Sequence, residues 1–91
     1  MRKNLLNIVQ IDEDSIVPKY KQLMDGIVQG AEAGLIQQNE VLPSIHEFCM
    51  ALDVSKNTVE KAYTKLKRKG IVGSVPGKGY YLKDNASFEL K

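Results

Sequence analysis

The chain has one cysteine, Cys49, so no disulfide can form within it, and cysteine usage says little about redox compartment. It has one histidine, His46, three residues earlier. No second His or Cys is there to complete a tetrahedral metal site, so Cys49 reads as a small buried hydrophobe. No apolar run approaches the roughly 20 residues that a membrane span needs. The opening MRKNLLNIVQIDEDS has two bases but no long apolar core and no small-residue cleavage site. It does not read as a signal peptide, and a cytoplasmic protein is expected. No nucleophile–base or carboxylate pair stands at useful spacing, which argues against an enzyme. Asp12, Glu13 and Asp14 lack the loop glycine and bidentate glutamate of a calcium site and read as a solvated turn. Lys78 lies between glycines, but Gly73 and Gly77 are one residue too close for a phosphate loop. Gly79 also stands where Ser or Thr would hold magnesium. No cofactor and no metal are expected.

What the chain does have is charge of one sign gathered in one place. Its 91 residues suffice for one domain with its own core, and the formal net charge is only +2. Residues 1–54 carry four bases and eight acids, whereas residues 55–79 carry seven bases against Glu60 alone. Such a local positive field attracts polyanions. A solvated helix face would explain the charge equally well, and charge alone does not separate the two.

Residues 1–15 read as an N-terminal arm, with Ile8, Val9 and Ile11 able to form a short strand. Pro18 suits the first turn of a helix. Tyr20, Leu23, Met24, Ile27, Val28 and Ala31 then recur at three- and four-residue steps, and Gly34 marks the stop. Gly26, Gly30 and Gly34 fall four apart, which fits either close approach of a neighbour or a neutral solvent face. A connection follows, with a second short strand possible at Val41–Leu42. Ser44 and Glu47 have capping-box spacing, and Ile45, Phe48, Cys49 and Leu52 form the apolar stripe of a two-turn helix. Asp53 tolerates a left-handed turn. Ser55 caps a third helix with Val59, Ala62, Tyr63 and Leu66 on its apolar side and Gly70 at its end. Two helices so joined match a helix-turn-helix unit. IVGSV and GYYLK read as strands around PGKG, with Gly79 free to take positive φ. Tyr80 and Tyr81 alternate, so one packs inward and the other faces out. The fold class is α+β: three helices, mainly α, with a small hairpin.

The third helix has a use that explains its charge. Opposite its apolar side lie Lys56, Asn57, Glu60, Lys61 and Thr64. Most are polar or cationic donors suited to base edges and phosphates in a major groove. Ser55 and the N–H groups beside it suit a backbone phosphate. Lys65, Arg68 and Lys69 lie further along and suit phosphates. A winged helix used for protein or RNA interaction is the competing class, and the charge of helix and hairpin favours nucleic acid.

Residues 42–82, LPSIHEFCMALDVSKNTVEKAYTKLKRKGIVGSVPGKGYYL, resemble the winged helix-turn-helix of GntR-family bacterial transcription regulators. The stretch VPKYKQLMDGIVQGAEAGLI resembles that family's first helix. The resemblance covers residues 16–82 and implies sequence-specific binding of double-stranded operator DNA. It implies a recognition helix over 55–69 in the major groove and a wing over 76–79 at the minor groove. DNA contacts are expected at Ser44, His46, Ser55, Lys56, Asn57, Thr58, Lys61, Lys65, Gly77, Lys78, Gly79 and Tyr80. Two positions depart from the family pattern. His46 stands where an arginine is common, and a neutral imidazole is a weaker phosphate partner. Glu60 stands where a base is common. A homodimer on a two-fold operator is expected, because one copy reads few base pairs. Residues 83–91 read as a tail or the start of a linker. The chain is expected to be a fragment of a longer regulator, with any small-molecule effector bound by a domain outside it.

Overall fold

The computed structural model describes residues 9–77 and 79–83. Three helices are followed by a hairpin: α1 (Lys19–Glu32), α2 (Ile45–Leu52), α3 (Lys56–Arg68), β1 (Val72–Val75) and β2 (Gly79–Leu82). The expected order of elements is the observed one.

Helix α1 begins after Pro18, whose carbonyl accepts from the N–H groups of Lys21 and Gln22. Proline therefore stands at the cap (ψ 146) and not inside the first turn. Helices α1 and α3 end alike. Leu35 N–H donates to the Gly30 carbonyl and Gly34 N–H to that of Ala31. Ile71 N–H donates to Leu66 and Gly70 N–H to Lys67. Both are Schellman closures, which satisfy carbonyls that a helix end leaves without partners.

Helix α3 is the centre of the core. Val59, Ala62, Tyr63 and Leu66 are fully buried, packed with Leu23 and Ile27 of α1, Phe48 of α2, and Ile71, Val72 and Leu82 of the hairpin. The Tyr63 ring stacks on that of Tyr80, with centroids 4.0 Å apart and planes 9° from parallel. Its hydroxyl donates to the Pro43 carbonyl just before α2. One side chain thus ties together the two helices of the unit and the wing.

The hairpin is antiparallel, with Val72 opposite Leu82 and Val75 opposite Gly79. Residues 39–42 run along the other edge of β2. Val41 makes a bridge to Tyr81, Leu42 N–H donates to Tyr80, and Leu82 N–H donates to Glu40. The strand expected at Val41–Leu42 is realised as this single bridge. Both edges of β2 are paired, so the wing is held to the body.

Of the strand expected around Val9, the described residues 9–11 have no strand pairing, and Ile8 lies outside the described residues. Val9 is buried against α1 instead. A Cβ placed on Gly26 would come within 2.8 Å of a Val9 methyl and 3.3 Å of its Cα. Close approach is therefore the reason for this glycine. Gly26→Val is expected to lower stability by about 1–3 kcal/mol, the usual cost of overpacking, despite valine's better helix propensity. Urea unfolding monitored by circular dichroism checks this.

Candidate nucleic-acid interface

Capping places the first part of the surface. Ser44 Oγ accepts from Glu47 N–H at 3.0 Å, and Glu47 Oε1 accepts from Ser44 N–H at 2.8 Å. The reciprocal box fixes where α2 starts. Asp53 then takes the left-handed conformation (φ 55, ψ 50) that turns the chain into α3. Ser55 caps α3, accepting from Thr58 N–H at 3.2 Å, and its Oγ lies 2.9 Å from Thr58 Oγ1. A hydroxyl can accept and donate at once, so Ser44 keeps its proton for an outside acceptor. One proton of the Ser55–Thr58 pair is likewise left to donate outward.

The buried stripe of α3 decides what faces out. Asn57, Lys61, Thr64 and Arg68 recur at three- and four-residue steps opposite Val59, Ala62 and Leu66, and all four are exposed. Lys56 is exposed on the hairpin side. Lys67 also turns that way, its Nζ donating to Ser74 Oγ of β1 at 2.9 Å. Glu60, half-buried, follows Lys56 by one turn on this flank. On the opposite flank, Lys61 and the half-buried Lys65 lean over the Tyr20 ring of α1. The ion pairs Lys19–Glu13 (2.9 Å) and Lys21–Asp25 (3.8 Å) belong to α1 and its approach. Among the described residues, no basic side chain of α3 is neutralised by a carboxylate, so its field is available to a polyanion.

Between α2, the start of α3 and β2 runs an open groove of about 640 Å³. Ile45, Cys49, Val54 and Tyr80 make its apolar floor, and Ser44, His46, Lys56 and Gly79 stand at its polar rim. Four residues expected to touch DNA are therefore brought to one place from three elements. Tyr80 is there too, but it is half-buried with its ring committed to Tyr63. Tyr81 takes the other side of β2 and lies across Gly73, where a Cβ would meet its ring at 2.7 Å. The two tyrosines take opposite sides of β2 as expected, but both are half-buried, Tyr81 because its ring packs on Gly73. Cys49 lies on the apolar stripe of α2 as expected but is half-buried, not buried, because it lines this open groove. Among the described residues, no His, Cys, Asp and Glu come together as a metal site.

At the tip of the hairpin, Pro76 and Gly77 are exposed, and Gly77 and Gly79 have φ of 80 and 98. These left-handed angles cost little only without a side chain, so the tip is narrow and its backbone can approach a partner closely. Lys78, expected to act at this tip, lies outside the described residues.

Sequence reading had not given Tyr20 or the Tyr63 hydroxyl any role beyond the apolar faces of their helices. Spacing carries no signal for either, because their partners lie on other elements.

The family described as "Bacterial regulatory proteins, gntR family" matches residues 19–82. The chain is 34% identical over 83 residues to the HTH-type transcriptional repressor YtrA of Bacillus subtilis, a match covering 91% of this chain and 64% of that protein. It thus spans less than two thirds of that relative's length. Among solved structures, it is similar to YtrA of Sulfolobus acidocaldarius, a GntR-family transcription factor. The TM-score is 0.77 at 37% identity, over 84% of this chain and 80% of that one. It is also similar to the AraR DNA-binding domain in complex with operator ORX1, with TM-score 0.73 at 27% identity, over 81% and 93% of the two chains. No helix among the described residues is long and apolar enough to cross a membrane. With a helix-turn-helix, a wing and a cationic helix face in these positions, the chain belongs to the gntR family of bacterial regulatory proteins, as a winged helix-turn-helix of the kind that binds double-stranded DNA sequence-specifically.

Proposed function

We propose that α3 lies in the major groove of operator DNA with Asn57 and Lys61 toward the bases. Ser44, His46, Ser55, Lys56 and Thr58 flank them along the phosphates, and the wing at 76–79 reaches the adjoining minor groove. The observation that carries this reading is the exposed row Asn57, Lys61, Thr64 and Arg68, opposite a fully buried stripe and beside a glycine-built hairpin tip. At 13 residues, α3 is about 20 Å long, and the roughly 12 Å major groove admits a helix. Lys65 and Arg68 supply attraction to the backbone, and Tyr80 supports the groove floor beside Lys56. The AraR domain's own structure holds an operator, which supports the same partner here. Residues 16–82 form the DNA-binding unit, preceded by an N-terminal arm and followed by a tail or the start of a linker. A homodimer on a two-fold operator provides specificity that one copy lacks. Any effector acts through a further domain, and the protein works in the cytoplasm.

Selection from random duplexes tests the reading directly. A two-fold motif is the expected product, and enrichment of no motif would refute it. Lys56→Ala is expected to weaken binding to the selected duplex and to reduce the slope of log affinity against log salt by about 0.9, the share of one phosphate contact. Anisotropy titrations across a salt series measure both quantities.

A further inference from the structure

We propose that Tyr20, on the first helix, is a positioning residue for DNA recognition, holding Lys61 and Lys65 of α3 in place before DNA arrives. The Lys61 ammonium lies 4.3 Å from the centre of the Tyr20 ring, and the Lys65 ammonium lies 5.6 Å from it. The proposal rests on the DNA-binding reading of the α3 face and adds a residue outside the helix-turn-helix to it.

Two lysines four apart on one helix repel each other. Left alone, each would sweep through many rotamers in water, and binding would have to order both. The negative face of an aromatic ring attracts ammonium groups, and here one ring faces two. The ion pairs of α1 and its approach, Lys19–Glu13 and Lys21–Asp25, do not involve the lysines of α3. The Tyr20 ring is the contact by which α1 meets the ammonium groups of Lys61 and Lys65. Tyr20 is itself half-buried against the core, so it is a fixed anchor. The consequence is that Lys61 is held at the edge of the exposed row, where it can move onto a base or phosphate with less ordering left to do. A phosphate that draws an ammonium off the ring replaces a weak partner with a stronger one, so the hold does not block binding.

The test is a double-mutant cycle read by affinity for a fluorescein-labelled duplex carrying the selected motif. In the parent, Tyr20→Leu is expected to weaken binding about 3- to 10-fold, as two cation–ring contacts allow. In a Lys61→Ala/Lys65→Ala protein, the same change is expected to cost less than about twofold, because nothing remains for the ring to hold. Tyr20→Phe keeps the ring face and is expected to stay within about twofold of the parent. A second readout needs no DNA. The ε-methylene protons of Lys61 and Lys65 are expected upfield of those of Lys69, in the parent and in Tyr20→Phe but not in Tyr20→Leu. If Tyr20→Leu costs the same in both lysine backgrounds, the residue acts by packing or by direct contact, and the proposal falls. Failure of Tyr20→Phe to bind like the parent would also overturn it, since the hydroxyl would then be the active part. If replacing both lysines leaves affinity unchanged, the reading of the helix face falls with it, which separates the two failures.

Discussion

Replacing Tyr63 by alanine is expected to remove about 4 kcal/mol of stability, within the 3–5 kcal/mol usual for deleting a buried aromatic side chain. Small domains have only about 5–15 kcal/mol to lose. At roughly 4–8 °C per kcal/mol for a domain of this size, the melting temperature falls by about 15–30 °C. The loss concentrates on the joint between wing and helix-turn-helix, because the ring is stacked on Tyr80 and the hydroxyl is bonded to the Pro43 carbonyl. Tyr63→Phe separates the two parts. It keeps the ring but leaves the carbonyl without its donor, at a cost of about 1–3 kcal/mol. The hydroxyl also gives a pH signature. Burial, helped by the nearby Tyr80 and Glu47, raises its pKa well above the ordinary 10.0. The unfolded chain ionises at that ordinary value, so it loses protons first as pH rises. The stabilising contribution is thus complete below about pH 10 and is lost progressively above it. The stability difference between parent and Tyr63→Phe is expected to be constant from neutral pH to about pH 9 and to shrink above pH 10. Urea unfolding of both proteins across that range measures it, and a constant difference would show that the hydroxyl is not shielded.

Asn57→Ala is expected to relax the preference at one base pair of each half-site while leaving most of the general affinity intact. Asparagine can pair bidentately with adenine, a match worth about 1–3 kcal/mol of discrimination against the wrong base. Asn57 is exposed in the first turn of α3, at the N-terminal end of the outward row. It carries no charge, so its loss leaves the salt slope unchanged, unlike the loss of Lys56. Two selections from random duplexes, with parent and variant, decide the matter. Identical motifs would remove Asn57 from base reading. A flatter salt slope would assign it to the backbone.

The order of elements was legible because each boundary has a local cause. Ser44 with Glu47, Asp53, Ser55 and Gly70 act on hydrogen bonds within a few residues of themselves, so spacing along the chain is enough to find them. The outward face of α3 was legible for the same reason, since the positions of Val59, Ala62, Tyr63 and Leu66 dictate which residues remain outside. Two local readings changed in detail. Pro18 caps α1 from just outside it, and Val9 is buried by the bare surface of Gly26 without strand pairing.

By itself, the sequence determined the three helices, the hairpin, the concentration of positive charge and the family pattern, all of which follow from periodicity, capping and composition. Only the tertiary structure decided that Tyr63 joins Pro43 to Tyr80, that Tyr20 receives two lysines, and that His46, Lys56 and Gly79 share one groove. Those pairings unite residues many positions apart in the chain. They depend on how the elements cross in space, and no repeat or spacing along a single chain encodes that.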